Sequence, residues 1–256
     1  MLRLLIIFLF SFVCVDAVEI HAFLVIDNHA ERIGEAMEVN LSRWERELDK
    51  IERYTDIGVQ RYIYKDDTAD FRFVDDLKAL DVDPDDVILF YWSGHGFRSS
   101  RTSIEENPWP SFCFHRDDDR MVDFKELTDY LTGKGARLVI SIAETCNRQI
   151  PFFIAPPKVQ LKAKGTPLLN RLCQNYADLF LTPSGVVMVA SSHPGEFSHL
   201  FIRSGSIFTA SFLESLKEEV YIQEEASWEA IMLRTTELVI ERNHGDQQVP
   251  LFEIYE

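Results

Sequence analysis

Two side chains in this sequence are suited to covalent chemistry at a carbonyl carbon, and both stand where a β-strand pattern stops. His95 lies in Ser93-Gly94-His95-Gly96, just after the apolar run 87–92, and Cys146 lies in Glu144-Thr145-Cys146, just after the run 137–143. An imidazole beside a thiol can take its proton or stabilise the thiolate, which then attacks a carbonyl and forms an acyl-enzyme. The backbone N–H groups of Gly96 and Cys146 are candidates for the oxyanion hole that such an attack requires. Glycines on both sides of His95 let the backbone turn sharply and approach a substrate closely, because no Cβ intervenes. Taken singly, each residue has a plainer reading: a capped loop histidine, or a cysteine acting as a small buried apolar group. Together at neighbouring strand ends, they read as a dyad.

The two residues are 51 positions apart, so the fold must bring them together. The segment 19–26 reads as a buried strand that stops at Asp27-Asn28. Met37, Leu41, Trp44, Leu48 and Ile51 then form one apolar stripe of a helix. Further strands are expected at 59–64, 87–92, 137–143, 186–190 and 248–255. Helices are expected near 70–80, 123–131, 168–181, after Gly205, and through Trp228, Ile231, Thr235 and Leu238. Phe112–His115 and Met121–Phe124 flank Arg116-Asp117-Asp118-Asp119-Arg120 as a hairpin with a charged tip. Strands alternating with helices predict the α/β class, with one open, mostly parallel six-stranded sheet and helices on both faces. In such sheets, sites form beyond the carboxyl ends of the strands. Asp27, His95 and Cys146 occupy three of those ends.

The first residues read differently. Met1-Leu2-Arg3 precedes an almost wholly apolar stretch, Leu4 to Val15, that ends at Val15-Asp16-Ala17. Its length of about twelve residues fits a secretory signal and falls short of the roughly 18 a membrane span needs. We therefore expect residues 1–17 to be a signal peptide and 18–256 a single domain with no integral membrane span. The chain would be secreted, or periplasmic or otherwise extracytoplasmic. Three cysteines remain, Cys113, Cys146 and Cys173, which allows at most one internal disulfide. If Cys146 stays free, Cys113 and Cys173 can pair only where the fold brings their Cα atoms within roughly 7 Å.

Forty-two acidic against 26 basic side chains give a formal charge of −16, which repels phosphate backbones and anionic lipid. No nucleic-acid partner is expected, and a cationic substrate is favoured. His115, His193, His199 and His244 lack ligand-like spacing, so no metal site is expected. A nucleotide-binding reading fails because Asp27-Asn28-His29-Ala30 stands where a Gly-rich loop belongs.

Residues 87–96, 140–146, and 187–192 with Gly205-Ser206-Ile207-Phe208-Thr209 resemble the caspase and metacaspase cysteine peptidases, a clan that also contains legumain. The resemblance implies a caspase-like fold over about residues 20–256, protein or peptide substrates, His95 as base and Cys146 as nucleophile. It also implies a substrate-binding role for Ser191. In metacaspase-like relatives the acid two residues before the nucleophile lines the pocket for a basic substrate residue. Glu144 matches that position, and Asp27 could add a second carboxylate to hold a guanidinium. Cleavage after Arg or Lys is therefore expected, with Arg32 as the one nearby residue suited to an acidic substrate instead. Glu144-Thr145-Cys146 is followed by Asn147-Arg148-Gln149, where the family commonly has a glycine soon after the cysteine. The alternatives are a legumain-like Asn-specific or an Asp-specific peptidase, or an inactive caspase-like binding module. The family further raises self-cleavage in the Pro- and Lys-bearing loop 147–167 beside the plainer reading of a solvated surface loop, and calcium at Asp117–Asp119 as the alternative to a solvated hairpin tip, which is the reading preferred here. No cofactor is expected.

Overall fold

The computed structural model describes residues 17–98, 103–114, 120–148, 169–243 and 247–255. In chain order the central elements are β1 (Glu19–Ile26), α1 (Gly34–Thr55), β2 (Gly58–Tyr64), α2 (Arg72–Ala79) and β3 (Val87–Ser93). Next come β4 (Gly96–Phe97), β5 (Ser111–Cys113), β6 (Met121–Asp123), α3 (Phe124–Thr132), β7 (Leu138–Glu144) and α4 (Leu169–Phe180). The chain continues through β8 (Gly185–Ala190), β9 (Leu200–Phe201), β10 (Gly205–Ser206), α5 (Ile207–Ile222), α6 (Trp228–Arg242) and β11 (Leu251–Tyr255).

Six strands form one sheet in the order β11-β8-β7-β3-β1-β2. All neighbours run parallel except β11, which returns antiparallel to β8. This is the mixed α/β sheet that the alternation of patterns predicts. The chain builds outward from β1 to β2, then crosses to β3 on the other side, so the strand order reverses between β1 and β3. Loops leaving the two strands diverge there and open a crevice at the carboxyl edge.

Central strands must bury both faces, which is why β3 and β7 are apolar at nearly every position and buried throughout. On one face Leu89, Tyr91, Ile140, Ile142 and Val189 pack against Trp44 and Leu48 of α1, Tyr176 of α4, and Phe208, Phe212 and Ile231 of α5 and α6. On the other face Phe23, Phe90, Trp92 and Met188 pack against Phe73 of α2, Phe124 and Leu131 of α3, and Phe112 and Phe114 of the β5–β6 hairpin. Trp92 stacks on Phe112 with ring centroids 4.8 Å apart. The predicted stripe of Met37, Leu41, Trp44, Leu48 and Ile51 is buried along α1.

The short pairs β4–β5 and β9–β10 are absent from the sequence expectation. Two-residue strands carry no readable alternation, since period 2 needs about four residues to show. Cys113, Cys146 and Cys173 form no disulfide. Cys113 lies on β5, on one face of the sheet, and Cys173 on α4, against the other, so the pairing left open by the sequence is not formed. Most of the signal segment, the loop 149–168, and Asp117, Asp118 and Asp119 lie outside the described residues. Among the described residues no helix is long and apolar enough to cross a membrane.

Candidate functional site

Register explains how His95 and Cys146 come to lie at one edge. β3 and β7 are parallel neighbours in which Ser93 pairs with Glu144, and on the other side Ile26 of β1 also pairs with Ser93. Asp27, Gly94 and Thr145 are therefore the first residues beyond three adjacent strands. The backbone amide of Asp27 donates to the Ser93 carbonyl at 2.9 Å, and that of Gly94 to the Glu144 carbonyl at 3.3 Å.

The two glycines set how closely these exits approach. A Cβ on Gly94 would stand 2.9 Å from Cβ of Asp27, and one on Gly96 would stand 2.2 Å from Oγ1 of Thr145 and 2.7 Å from the Ser111 carbonyl oxygen. Both contacts are shorter than any side chain tolerates. The histidine loop is thus wedged between Asp27 and the residue preceding Cys146, and the strand-end juxtaposition expected from the sequence is present. Gly96 continues into β4, which pairs with β5, and Cys113 donates its amide to the His95 carbonyl at 3.1 Å. The β5–β6 hairpin therefore buttresses the histidine loop from behind.

The cysteine loop is fastened on both sides of the nucleophile candidate. The Thr145 amide donates to Ser191 Oγ at 3.0 Å, and that hydroxyl donates back to the Thr145 carbonyl at 2.9 Å. Ser192 Oγ also donates to the Thr145 carbonyl, at 3.1 Å. Asn147 is fully buried; its side-chain amide donates to the carbonyls of Pro108 at 2.8 Å and Ser192 at 3.3 Å. Its backbone exchanges hydrogen bonds with Glu196 and Gly195. Thr145 and Asn147 point inward while Cys146 between them is half-buried. Ser191, expected to bind substrate, is itself fully buried with its hydroxyl engaged twice by Thr145. What its side chain does here is hold the cysteine loop.

Glu144 ends β7 and is buried. Its Oε2 accepts from Ser206 Oγ at 2.5 Å, the Thr209 amide at 3.1 Å and Thr209 Oγ1 at 2.9 Å, while Oε1 accepts from Ser198 Oγ. Asn40 of α1 extends the network, donating to Ser93 Oγ and Ser206 Oγ and accepting the Ser206 amide. Gln248 donates to Ser198 Oγ at 3.3 Å and to the Ser191 carbonyl at 2.9 Å. Burial pushes the Glu144 carboxyl above its usual range, against the four hydrogen bonds that favour the charge. Asn40, Asn147, Ser198, Thr209 and Gln248 were not recognised in the sequence as part of the site. The readable signal was slight: Asn40 and Glu47 are the two polar residues on the buried, mostly apolar face of α1.

Burial also pushes the Cys146 thiol up to about 11, and the neighbouring Glu144 charge adds to this. The sulfur donates weakly to the Ser198 carbonyl, at 4.0 Å, and not to the imidazole. In this state the thiol is a poor nucleophile. Catalytic hydrogen bonds are commonly loose without substrate and tighten with it. Arg32, in the loop leaving β1, is exposed with a left-handed φ of 67°. Among the described residues no group of three or more His, Cys, Asp or Glu side chains is arranged to hold a metal ion.

No curated protein shows significant similarity to this sequence. Among solved structures, caspase-1 from Spodoptera frugiperda superimposes with a TM-score of 0.54 at 13% identity, covering 93% of this chain and 87% of that one. At that identity the likeness concerns the fold. The family profile described as "Caspase domain" matches residues 66–254, which include both His95 and Cys146. With three-quarters of its sequence matched by that profile and its fold similar to that of a caspase, the chain belongs to the caspase-domain family of cysteine peptidases.

Proposed function

We propose that this protein is an exported endopeptidase that uses a His95–Cys146 dyad to cleave after Arg or Lys. The observation that carries the proposal is the adjacency of the two loops: Gly96 packs on Thr145, so the residues after β3 and β7 share one crevice. Substrate entering the crevice draws Cys146 from the Ser198 carbonyl toward His95. The imidazole takes the thiol proton, the thiolate adds to the scissile carbonyl, and the amides of Gly96 and Cys146 receive the oxyanion. The imidazolium then protonates the leaving amine, and water releases the acyl group by the reverse path.

Glu144 supplies the preference for a basic residue, aided by Asp27. A carboxylate held by four donors is rigid and already desolvated, so a guanidinium that displaces the Ser198 hydroxyl from Oε1 gains a strong charge-assisted bond. Processing of residues 1–17 as a signal peptide and single-domain behaviour of 18–256 complete the reading. Fluorogenic peptides with Arg, Lys, Asp or Asn at the cleavage position test it. Hydrolysis of the Arg and Lys peptides, lost in Cys146→Ala and His95→Ala, is expected; hydrolysis of the Asp peptide alone would reassign the pocket to Arg32.

A second reading, a catalytically silent caspase-like module, is favoured by the raised thiol and its bond to Ser198. A peptidyl chloromethyl ketone ending in Arg separates the two. Modification of Cys146 that disappears in His95→Ala belongs to an enzyme, and no modification belongs to the silent module.

A further inference from the structure

This chain is strongly acidic, yet three guanidinium groups converge on one pocket. The pocket, of about 180 Å³, opens between α1, the β9–β10 turn and the first turn of α5. Arg43, Arg203 and Arg242 line it together with Ser204 and the apolar side chains of Phe201 and Ile207, and no carboxylate lines it. Ser206, in its wall, donates to Glu144 on the other side, so the pocket backs onto the candidate site without sharing its carboxylate.

The three arginines differ in how they are balanced. Arg242 is neutralised by Glu214 at 2.6 Å and also donates to Ser211 Oγ at 3.0 Å. Nη1 of Arg43 is buried with no hydrogen-bond partner. Arg203 is exposed, and neither it nor Arg43 has an acidic partner among the described residues. The backbone makes room for this arrangement. Gly205 has φ +72°, and a Cβ there would stand 2.7 Å from Nη1 of Arg43 and 2.5 Å from Oδ1 of Asn40. Burial, with Arg46 and Arg242 nearby, lowers the pKa of Arg43, as expected for a guanidinium lacking a counter-ion. Leaving a cation partly desolvated and unpaired is costly, and an anion between the side chains reverses that cost.

We propose that this pocket is a binding site for a phosphate-class oxyanion, either free phosphate or the phosphoryl group of a small monoester. The charged lining offers donors only, from several directions, which suits a tetrahedral oxyanion with acceptors on every side. The apolar walls at Phe201 and Ile207 accommodate a small organic body attached to it.

Isothermal titration of the full chain with inorganic phosphate and with phenyl phosphate, at constant ionic strength set by chloride, tests the site. One saturable site is expected, with affinity reduced at least about tenfold in both Arg203→Gln and Arg43→Met, a loss typical of removing one charge-assisted contact. Phosphate should also raise the unfolding temperature of the wild type above that in matched chloride, and do so less in the variants. Arg203 is exposed, so its variant keeps the fold even if Arg43→Met does not. Tighter binding of phenyl phosphate assigns the site to a monoester; equal or weaker binding assigns it to the free ion. Absence of saturable binding, or binding unchanged in Arg203→Gln, overturns the proposal. None of these readouts depends on peptidase activity.

Discussion

Glu144→Gln is the substitution that isolates charge from shape at the candidate specificity pocket. Three of the four hydrogen bonds to Glu144 converge on Oε2, one of them from the Thr209 amide, which cannot reverse its direction. A glutamine therefore places its oxygen there and turns its NH2 toward Ser198, whose hydroxyl can rotate to accept. The network survives and the negative charge disappears. A charge-assisted bond to a substrate guanidinium contributes about 1.5–3 kcal/mol. At about 1.4 kcal/mol per decade, kcat/KM for an Arg peptide should fall by about 10- to 150-fold. A matched peptide with a neutral residue should be nearly unaffected. The effect on folding has the opposite sense. The Glu144 carboxyl is raised in the folded state, so folding takes up protons and the stability it contributes is fully present below the unfolded pKa and lost as pH rises through the folded one. Glu144→Gln abolishes that loss, so the unfolding temperature should hold or rise at neutral pH. The wild-type preference for Arg should also fade on acidification, as the carboxyl protonates, while the variant shows no such change. An Arg-to-neutral ratio of kcat/KM that is the same in both proteins refutes this role for Glu144.

Three further outcomes follow from the same geometry. With the Cys146 thiol pushed up to about 11, its thiolate fraction near pH 7.5 is about 3 × 10⁻⁴ against about 0.1 for an unperturbed thiol. Iodoacetamide should therefore label it about 300-fold more slowly in the free protein, and an alkylation profile with its inflection below about pH 9 contradicts the buried resting state. Gly96→Ala drives a Cβ into Thr145 Oγ1 and the Ser111 carbonyl, so both loops must shift. A loss of about 100-fold in kcat is expected, since an ångström of misplacement is enough; near-normal turnover would show that the loops need not touch. Ser191→Ala leaves the buried Thr145 amide without its acceptor, a loss of about 1–3 kcal/mol, visible as a fall in melting temperature of about 2–4 °C per kcal/mol. A melting temperature unchanged from wild type would mean that the clamp contributes nothing.

The elements that carry the site were legible because each is a strong pattern. The runs at β3 and β7 are apolar on both faces, which only a covered parallel strand permits, and α1 shows five apolar positions at helical spacing. Ser93-Gly94-His95-Gly96 announced a strand end because two glycines interrupt a β-rich run. Ser191 misled for a related reason. It sits just beyond the end of β8, where substrate contacts are expected, but nothing in its type says that its hydroxyl faces Thr145 across a strand gap and not the crevice.

By itself, the sequence determined the class of the sheet and the presence of His95 and Cys146 at the ends of neighbouring strands, because these depend on local periodicity and on the regularity of parallel connections. Only the tertiary structure decided that Asn40, Ser206, Thr209 and Ser198 meet around Glu144, that Asn147 anchors the cysteine loop, and that Arg43, Arg203 and Arg242 share a pocket. Asn40 and Ser206, which are hydrogen-bonded to each other, lie 166 positions apart in the chain. A hydrogen bond is satisfied by whatever polar group the packing of apolar faces happens to bring within about 3 Å. No spacing along the chain records that outcome.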